Sequence, residues 1–206
     1  KPNETPLPTY PPARHSQSFT SNGGTTAATS RLYMFGGDNS DGTAMGDLWS
    51  YANAGSSGAT WTYIPGGNID AGEAPYNRKG AGWSCGAGSC VLVGGVSTKY
   101  HSDTWIFDES MQAWSQMKCS RRVFCPSGRA FQAMTYDPLH GVHVMFGGEV
   151  SDGMLTADTY TFNAATGTWT QMSGGTAPPP REAAAATYVP GVGVVMFGGL
   201  ADPCCV

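Results

Sequence analysis

The sequence has little charge and no excess of positive charge. Charged residues make up 13% of the 206 residues and the net charge is −4, whereas an average globular chain is about 25% charged. Proteins that bind nucleic acid need a clustered basic surface. We therefore expect no nucleic-acid partner.

The sequence also lacks long apolar runs and helical periodicity. None of its apolar runs approaches the ~20 residues of a membrane-spanning helix, so we predict no membrane span. Apolar residues do not recur at i, i+3, i+4 and i+7 over the length of a helix, and the clear alternations have a period of two. With 29 glycines and 14 prolines, the composition favours an all-β protein with many turns.

One pattern recurs along the chain with a period near 55 residues. A short apolar run ends in a glycine doublet, an acidic residue then opens an alternating aromatic run, and a tryptophan follows. The doublets are Gly36-Gly37, Gly94-Gly95, Gly147-Gly148 and Gly198-Gly199, the acids are Asp47, Asp103 and Asp158, and the tryptophans are Trp61, Trp114 and Trp169. A fixed period of about 50 residues is typical of a propeller-type repeat array.

Each repeat predicts a four-stranded antiparallel sheet, which is one blade of a β-propeller. We divide the chain into a proline-rich extended segment (1–12), three complete repeats (13–67, 68–125 and 126–177) and a partial fourth repeat (178–206). The fourth repeat contains only its first two predicted strands. The predicted fold is therefore about three and a half blades.

These residues closely resemble the kelch repeat. The resemblance rests on the doublet after an apolar strand and on the tryptophan seven positions after an aromatic residue, as in Phe107 to Trp114 and Phe162 to Trp169. The first repeat departs from this spacing, since Tyr51 and Trp61 are ten apart. The resemblance implies a kelch-type β-propeller, a fold that serves both as a binding platform and as a domain of enzymes.

Three and a half blades are too few for a closed kelch ring, so three arrangements stay open. The chain is a fragment of a longer propeller, or a second chain completes the ring, or the chain forms a small closed propeller. The repeat alone does not choose among them.

The cysteines form close pairs in the sequence. Cys85 and Cys90 flank a predicted hairpin turn, and Cys119 and Cys125 flank the connection between two repeats. We expect two local disulfides and therefore an oxidising compartment, at the cell surface or outside the cell; free buried thiols are the alternative. Asn3 is in a glycosylation sequon.

The sequence offers no catalytic motif and predicts neither a cofactor nor a metal. His140 and His143 flank one hairpin and are better interpreted as turn residues than as metal ligands. The loop from Asp38 to Gly42 lacks the alternating acids and the glutamate of a calcium loop. The enzyme alternative is a copper-radical oxidase of the galactose-oxidase type, whose central domain is a kelch-like propeller.

Binding is expected on the loops that join the second to the third strand, because loops on a rigid scaffold commonly bind partners. The expected partner is a protein, which includes a second chain completing the ring, or a glycan. The candidate residues in these loops are Asp38, Asp41, Met45, Tyr100, His101, Glu149, Asp152, Met154 and Leu155. The simpler interpretation is that these side chains pack against neighbouring loops.

Overall fold

The computed structural model describes residues 9–24, 26, 29–52, 57–66, 71–119 and 124–201. Asn3, Cys204 and Cys205 lie outside the described residues. Strands account for 50% of the residues, and the described part of the chain contains no α-helix, which confirms the predicted all-β class.

Three sheets have four strands each, and in every one the strands follow a simple antiparallel meander. The first sheet contains β1 (Ser18–Ser21), β2 (Arg31–Asp38), β3 (Ala44–Ala52) and β4 (Thr60–Ile64). The second contains β5 (Gly82–Gly86), β6 (Ser89–Val93), β7 (Thr104–Asp108) and β8 (Ala113–Met117). The third contains β10 (Ala133–Asp137), β11 (Val142–Phe146), β13 (Thr159–Asn163) and β14 (Thr168–Met172).

The fourth sheet has only two strands among the described residues, β16 (Ala185–Val189) and β17 (Gly193–Phe197). Two short pairs lie between the larger sheets: β9 (Arg129–Ala130) with β12 (Glu149–Val150), and β15 (Arg181–Glu182) with β18 (Leu200–Ala201). One 3₁₀ turn spans Ser151–Gly153. The four sheets are blades 1 to 4, and the last of them is half a blade.

Adjacent blades are joined by backbone hydrogen bonds between equivalent residues, one from each repeat. Gly80 donates its N–H to the Ser16 carbonyl at 2.9 Å, Phe131 to Gly80 at 2.6 Å, and Ala183 to Phe131 at 2.7 Å. All four residues have φ between 53° and 59°, a region that L-residues with side chains rarely adopt. The same unusual conformation recurs at the equivalent residue of every repeat, so this connection between blades is a regular part of the fold despite its conformational cost.

A second set of contacts explains the glycine doublets. Gly37, Gly95 and Gly148 donate their N–H groups to the carbonyls of Arg78, Arg129 and Arg181 in the following blade, at 3.0, 2.7 and 2.9 Å. A Cβ on Gly36, Gly94 or Gly147 would collide with the same carbonyls. Only glycine permits this approach of two backbones, and it also permits the positive φ at these positions.

Tryptophans close the joints between blades. Trp114 packs against Phe107 of its own blade and Phe35 of blade 1, with ring centroids 5.1 and 5.7 Å apart. Trp169 lies over Phe162 and donates its indole N–H to the Thr104 hydroxyl of blade 2 at 3.1 Å. Each apolar cluster is thus shared between two sheets, which is what a blade that cannot bury both of its faces requires.

Each complete blade also contains an arginine–aspartate pair next to its doublet. Arg78 has no exposed side-chain surface; it makes two hydrogen bonds to Asp103, at 2.5 and 2.9 Å, and a third to the Gly94 carbonyl at 2.9 Å. Arg14 binds Asp47 and the Gly36 carbonyl in the same way. The third pair is looser, with 3.6 Å between Arg129 and an Asp158 side chain that is 41% exposed.

The structure joins Cys85 to Cys90 and Cys119 to Cys125 by disulfides. Cys85 and Cys90 are directly opposite in the β5–β6 hairpin, whose turn residues Ala87 and Gly88 both have positive φ. The second bridge closes the connection from blade 2 to blade 3. Both bridges are local, so neither holds distant blades together.

We predict that Asp103→Ala lowers the free energy of unfolding by about 3 kcal/mol, because it leaves the buried Arg78 guanidinium without its counter-charge. The matched change Asp158→Ala should cost less, about 1 kcal/mol, because the Asp158 carboxylate lies 3.6 Å from Arg129 and is 41% exposed. Urea unfolding followed by tryptophan fluorescence measures both values. Since both arginines are buried, equal losses in the two variants would contradict the importance assigned to the short, shielded contact of Asp103.

Candidate functional site

A groove of about 960 Å³ lies between the loops of blades 1 and 2. Three segments form its walls: the start of β3, the connection from β4 into the next blade, and the loop between β6 and β7. Its lining residues are Thr43, Ala44, Tyr76, Asn77 and the run from Ser97 to Asp103.

The loop of blade 2 is held from within by His101. Its ring Nε2 lies 2.9 Å from the Ser97 hydroxyl, and its backbone N–H donates to the Gly95 carbonyl at 2.8 Å. His101 also accepts a hydrogen bond from the N–H of Arg129 at 3.2 Å. The histidine therefore ties the groove wall both to the doublet of its own blade and to the next blade.

The electrostatics keep His101 neutral. Burial lowers the pKa of His101 to about 4, and the neighbouring Arg78 charge acts in the same direction. Burial alone would raise the pKa of Asp103, but hydrogen bonds and charge from Arg78 hold that pKa below its usual value. The groove floor thus has a neutral imidazole, hydrogen-bonded to the Ser97 hydroxyl, beside a carboxylate that is paired with Arg78.

The rim of the groove is polar and carries one cation. Ser97, Thr98 and Lys99 are exposed, and Tyr76 is 53% exposed on the facing wall. Hydroxyl groups, an amide, a lysine and two tyrosines form a surface suited to hydrogen bonding and to packing of flat or aliphatic groups.

The structure brings only part of the predicted binding set together. Tyr100 and His101 line the groove, and Met45 is half-buried in β3 beside it. Asp41 is exposed in the adjacent turn, where a hydrogen bond from Thr43 lowers the pKa of its carboxyl group. Asp38 differs from the expectation, because it lies in β2 rather than in a loop and is 2% exposed.

Asp38 is buried because it has structural partners. Its carboxylate accepts a hydrogen bond from the Lys79 ammonium at 2.6 Å, and its backbone pairs with His15. It therefore connects blade 1 to the first residues of blade 2 and is not presented to a partner.

The remaining candidates lie on the loop of blade 3, outside the residues that line the groove. Met154 is 61% exposed, and Glu149 and Leu155 are half-buried and bridged to one another. Asp152 lies in the 3₁₀ turn between them. Tyr76 and Asn77 were missed by the sequence reasoning, although they lie in the kind of connection between repeats that lines this face in propellers.

One group of possible metal ligands occurs among the described residues: Cys85, Cys90 and Glu109. The two sulfur atoms are bonded to each other, and a disulfide is not the thiolate that metals bind. We therefore assign no metal to this group. The part of the chain that the structure describes also contains no helix able to cross a bilayer.

The meander sheets, the doublet contacts and the shared tryptophans define a kelch-type β-propeller fold. The sequence model for the KLHDC2/KLHL20/DRC7 Kelch-repeats domain matches residues 5–199. The chain belongs to this kelch-repeat family, which confirms the predicted resemblance.

A curated relative is the Dynein regulatory complex subunit 7 of Chlamydomonas reinhardtii, which is 35% identical over 118 residues. The match covers 54% of this chain but only 10% of the relative. The predicted extracellular or cell-surface location is wrong on this finding, because the relative is named as a subunit of a dynein regulatory complex and not as an extracellular protein. Close cysteine pairs show that bridges can form, and they do not by themselves report the compartment.

We predict that the protein loses stability as the pH falls from 6 to 5. Burial lowers the pKa of His143 to about 4, as it does for His101, whereas both histidines titrate near 6.5 when unfolded. The unfolded chain therefore binds more protons in this window, and each histidine contributes a slope of about 1.4 kcal/mol per pH unit. Urea unfolding at several pH values measures this slope.

The variant His143→Gln should lower that slope by about 1.4 kcal/mol per pH unit, the contribution of one histidine. A slope unaffected by His143→Gln would show that this histidine is not the group that titrates.

Proposed function

We propose that this chain is a non-catalytic protein-recognition module and that the groove between blades 1 and 2 is its docking surface. Members of the kelch-repeat family are typically non-catalytic interaction domains. The observation that carries the proposal is the joining of three separate segments into one large groove on a rigid scaffold. Such surfaces are where propellers, like other scaffolds, recognise partners.

The chemistry of the groove fits a peptide segment or a loop of another protein. Tyr76 and Tyr100 offer aromatic faces with hydroxyl tips, which are enriched at protein interfaces. Lys99 adds a positive charge at the rim, so an acidic or carboxylate-bearing segment is favoured. The carboxylate nearest to His101 in sequence, that of Asp103, is bonded to the Arg78 guanidinium.

The relative described above is named as a subunit of a dynein regulatory complex. We propose by analogy that this chain works inside the cell, as one recognition module within a larger protein assembly. The copper-radical oxidase remains the alternative enzyme class. Elemental analysis of the purified protein for copper distinguishes it, since stoichiometric copper would support the oxidase and contradict the module.

We predict that a photo-crosslinking amino acid at Tyr100 captures a protein partner in a native extract, and that the same group at Met111 does not. Met111 is 73% exposed at the turn between β7 and β8, outside the residues that line the groove. Crosslinked products are identified by mass spectrometry. The capture should fall at least about fivefold in the background of Lys99→Glu if the partner is acidic at the rim.

Glycan arrays provide the second arm of this test. Capture of protein at position 100 but not at 111 supports the proposal. Binding to glycans with no protein captured, or equal capture at both positions, would contradict it.

A further inference from the structure

Blade 2 brings two cysteines and a glutamate together at the end that carries its β5–β6 hairpin turn. Cys85 and Cys90 are directly opposite in the hairpin. Glu109 follows β7, and its backbone N–H donates to the carbonyl of the turn residue Gly88 at 3.3 Å. One Glu109 carboxylate oxygen lies 3.8 Å from the Cys90 sulfur, and the two sulfur atoms and the carboxylate all lie within 4.8 Å of one another.

The cluster of Cys85, Cys90 and Glu109 is shielded and is held from the neighbouring blade. Cys90 is fully buried and Cys85 is 6% exposed, whereas Glu109 is half-buried. The Tyr33 hydroxyl of blade 1 is hydrogen-bonded to the Glu109 carboxylate, and burial together with the charge of Glu109 raises the pKa of Tyr33. Tyr33 therefore stays protonated and donates to the carboxylate, which fixes its position.

The location inside the cell that is proposed above changes the state of the two sulfur atoms. Intracellular thiol reductants such as glutathione and thioredoxin keep most cytosolic cysteines reduced, and close cysteines in such proteins commonly bind metals. Two thiol equivalents supply two electrons, so the bond between the Cys85 and Cys90 sulfur atoms breaks, each sulfur gains a proton, and the reductant becomes a disulfide. The products are two thiols beside a carboxylate.

We propose that the reduced cluster is a zinc site in which the Cys85 and Cys90 thiolates and the Glu109 carboxylate are the three protein ligands. Water completes the tetrahedral coordination, an arrangement that Zn²⁺ commonly adopts. Thiolates favour zinc over magnesium and calcium, and the harder carboxylate oxygen favours zinc over copper(I). Binding of the ion releases the two thiol protons.

The geometry of the hairpin accommodates the ion. In a tetrahedral site with Zn–S bonds of about 2.3 Å, the sulfur atoms are about 3.8 Å apart. Side chains at directly opposite strand positions reach this separation by rotation about their Cα–Cβ bonds, and the backbone pairing of β5 with β6 is kept. The half-buried Glu109 provides the side from which the ion enters.

The other bridge of the described chain provides an internal comparison. Among the described residues, no histidine or carboxylate is grouped with Cys119 and Cys125, so reduction leaves that pair without a third ligand. The proposed zinc site is also outside the residues that line the groove. It relies on the proposed location only for the reduced state of the thiols, so zinc binding and partner capture at Tyr100 can each fail without the other.

The test uses the chain with Cys204→Ser and Cys205→Ser, reduced by a water-soluble phosphine and kept free of oxygen. One equivalent of Co²⁺, a coloured substitute for zinc, should produce a thiolate-to-cobalt charge-transfer band in the near ultraviolet and the visible bands of a tetrahedral ion. One equivalent of Zn²⁺ should remove both. The same chain with its disulfides intact should show neither, because a disulfide provides no thiolate.

Matched pairs of variants locate the ion. Combined Cys85→Ser and Cys90→Ser should abolish the cobalt bands, and combined Cys119→Ser and Cys125→Ser should leave them unchanged. The change Glu109→Gln should weaken zinc binding at least about tenfold, measured by competition with a coloured chelator. Its control is Glu73→Gln, at an exposed carboxylate outside the cluster, which should leave the affinity unchanged.

Tyr33 is a positioning residue in this proposal, since it acts through Glu109. The variant Tyr33→Phe keeps the ring and removes the hydroxyl group, so zinc affinity should fall about tenfold. The charge-transfer band should keep its full intensity at saturating Co²⁺, because both thiolates remain. Loss of that band would show that Tyr33 supports the fold of the cluster and does not position the carboxylate.

Zinc should also stabilise the reduced chain. At a free concentration 100 times the Kd, Zn²⁺ should raise the melting temperature by at least about 5 °C, and it should have no such effect on the oxidised chain.

Three results would overturn the proposal. The first is a reduced chain that gives no thiolate-to-cobalt band. The second is a band that disappears with Cys119→Ser and Cys125→Ser, which would place the ion at the other pair. The third is an unchanged zinc affinity in Glu109→Gln, and this result decides the question even if the Cys85→Ser and Cys90→Ser variant does not fold.

Discussion

The structure depends on one contact that recurs at each boundary between blades: a glycine N–H donating to the carbonyl of an arginine in the following blade. The arginine carbonyl accepts a hydrogen bond from the doublet of the preceding blade, while the arginine guanidinium binds the carbonyl of its own blade's doublet and an aspartate. One residue such as Arg78 therefore fixes two blades at once. Because its side chain is completely buried, the pairing with Asp103 is needed to offset the cost of removing the charge from water.

The groove follows from this contact. Asp103 and Arg78 lie at the boundary between blades 1 and 2, and the loop that ends at Asp103 carries His101 and Tyr100. With the floor held by a buried ion pair and a neutral histidine, the loop is positioned before any partner arrives. A surface arranged in advance loses less conformational entropy on binding, which suits recognition by a repeat scaffold.

The same contact shows what is unusual about the last blade. Its doublet, Gly198-Gly199, is formed, and its arginine binds the doublet carbonyl, yet a Cβ on Gly198 would meet nothing within 4 Å. Phe197 is 85% exposed, whereas its counterpart in blade 1, Phe35, is 1% exposed. Burial in this array therefore comes from the next strand or blade, and the local sequence of a repeat does not provide it alone.

The sequence by itself determined the all-β class, the period, the three complete blades and the half-blade, because these rest on local signals. Alternation of apolar residues selects strands, and glycine doublets mark where backbones approach. Close cysteines likewise showed which sulfur atoms can form disulfides. They led to a wrong prediction of the cellular location, because the distance between two cysteines does not depend on the compartment.

Only the tertiary structure decided which loops meet and which side chains are presented. It placed Tyr76 and Asn77 in the groove beside Tyr100, and it buried Asp38 under Lys79. It also paired Arg78 with Asp103, residues 25 apart in the sequence. The reason is physical: these contacts depend on the register between strands and on how one sheet packs against the next, and neither is encoded within a single repeat.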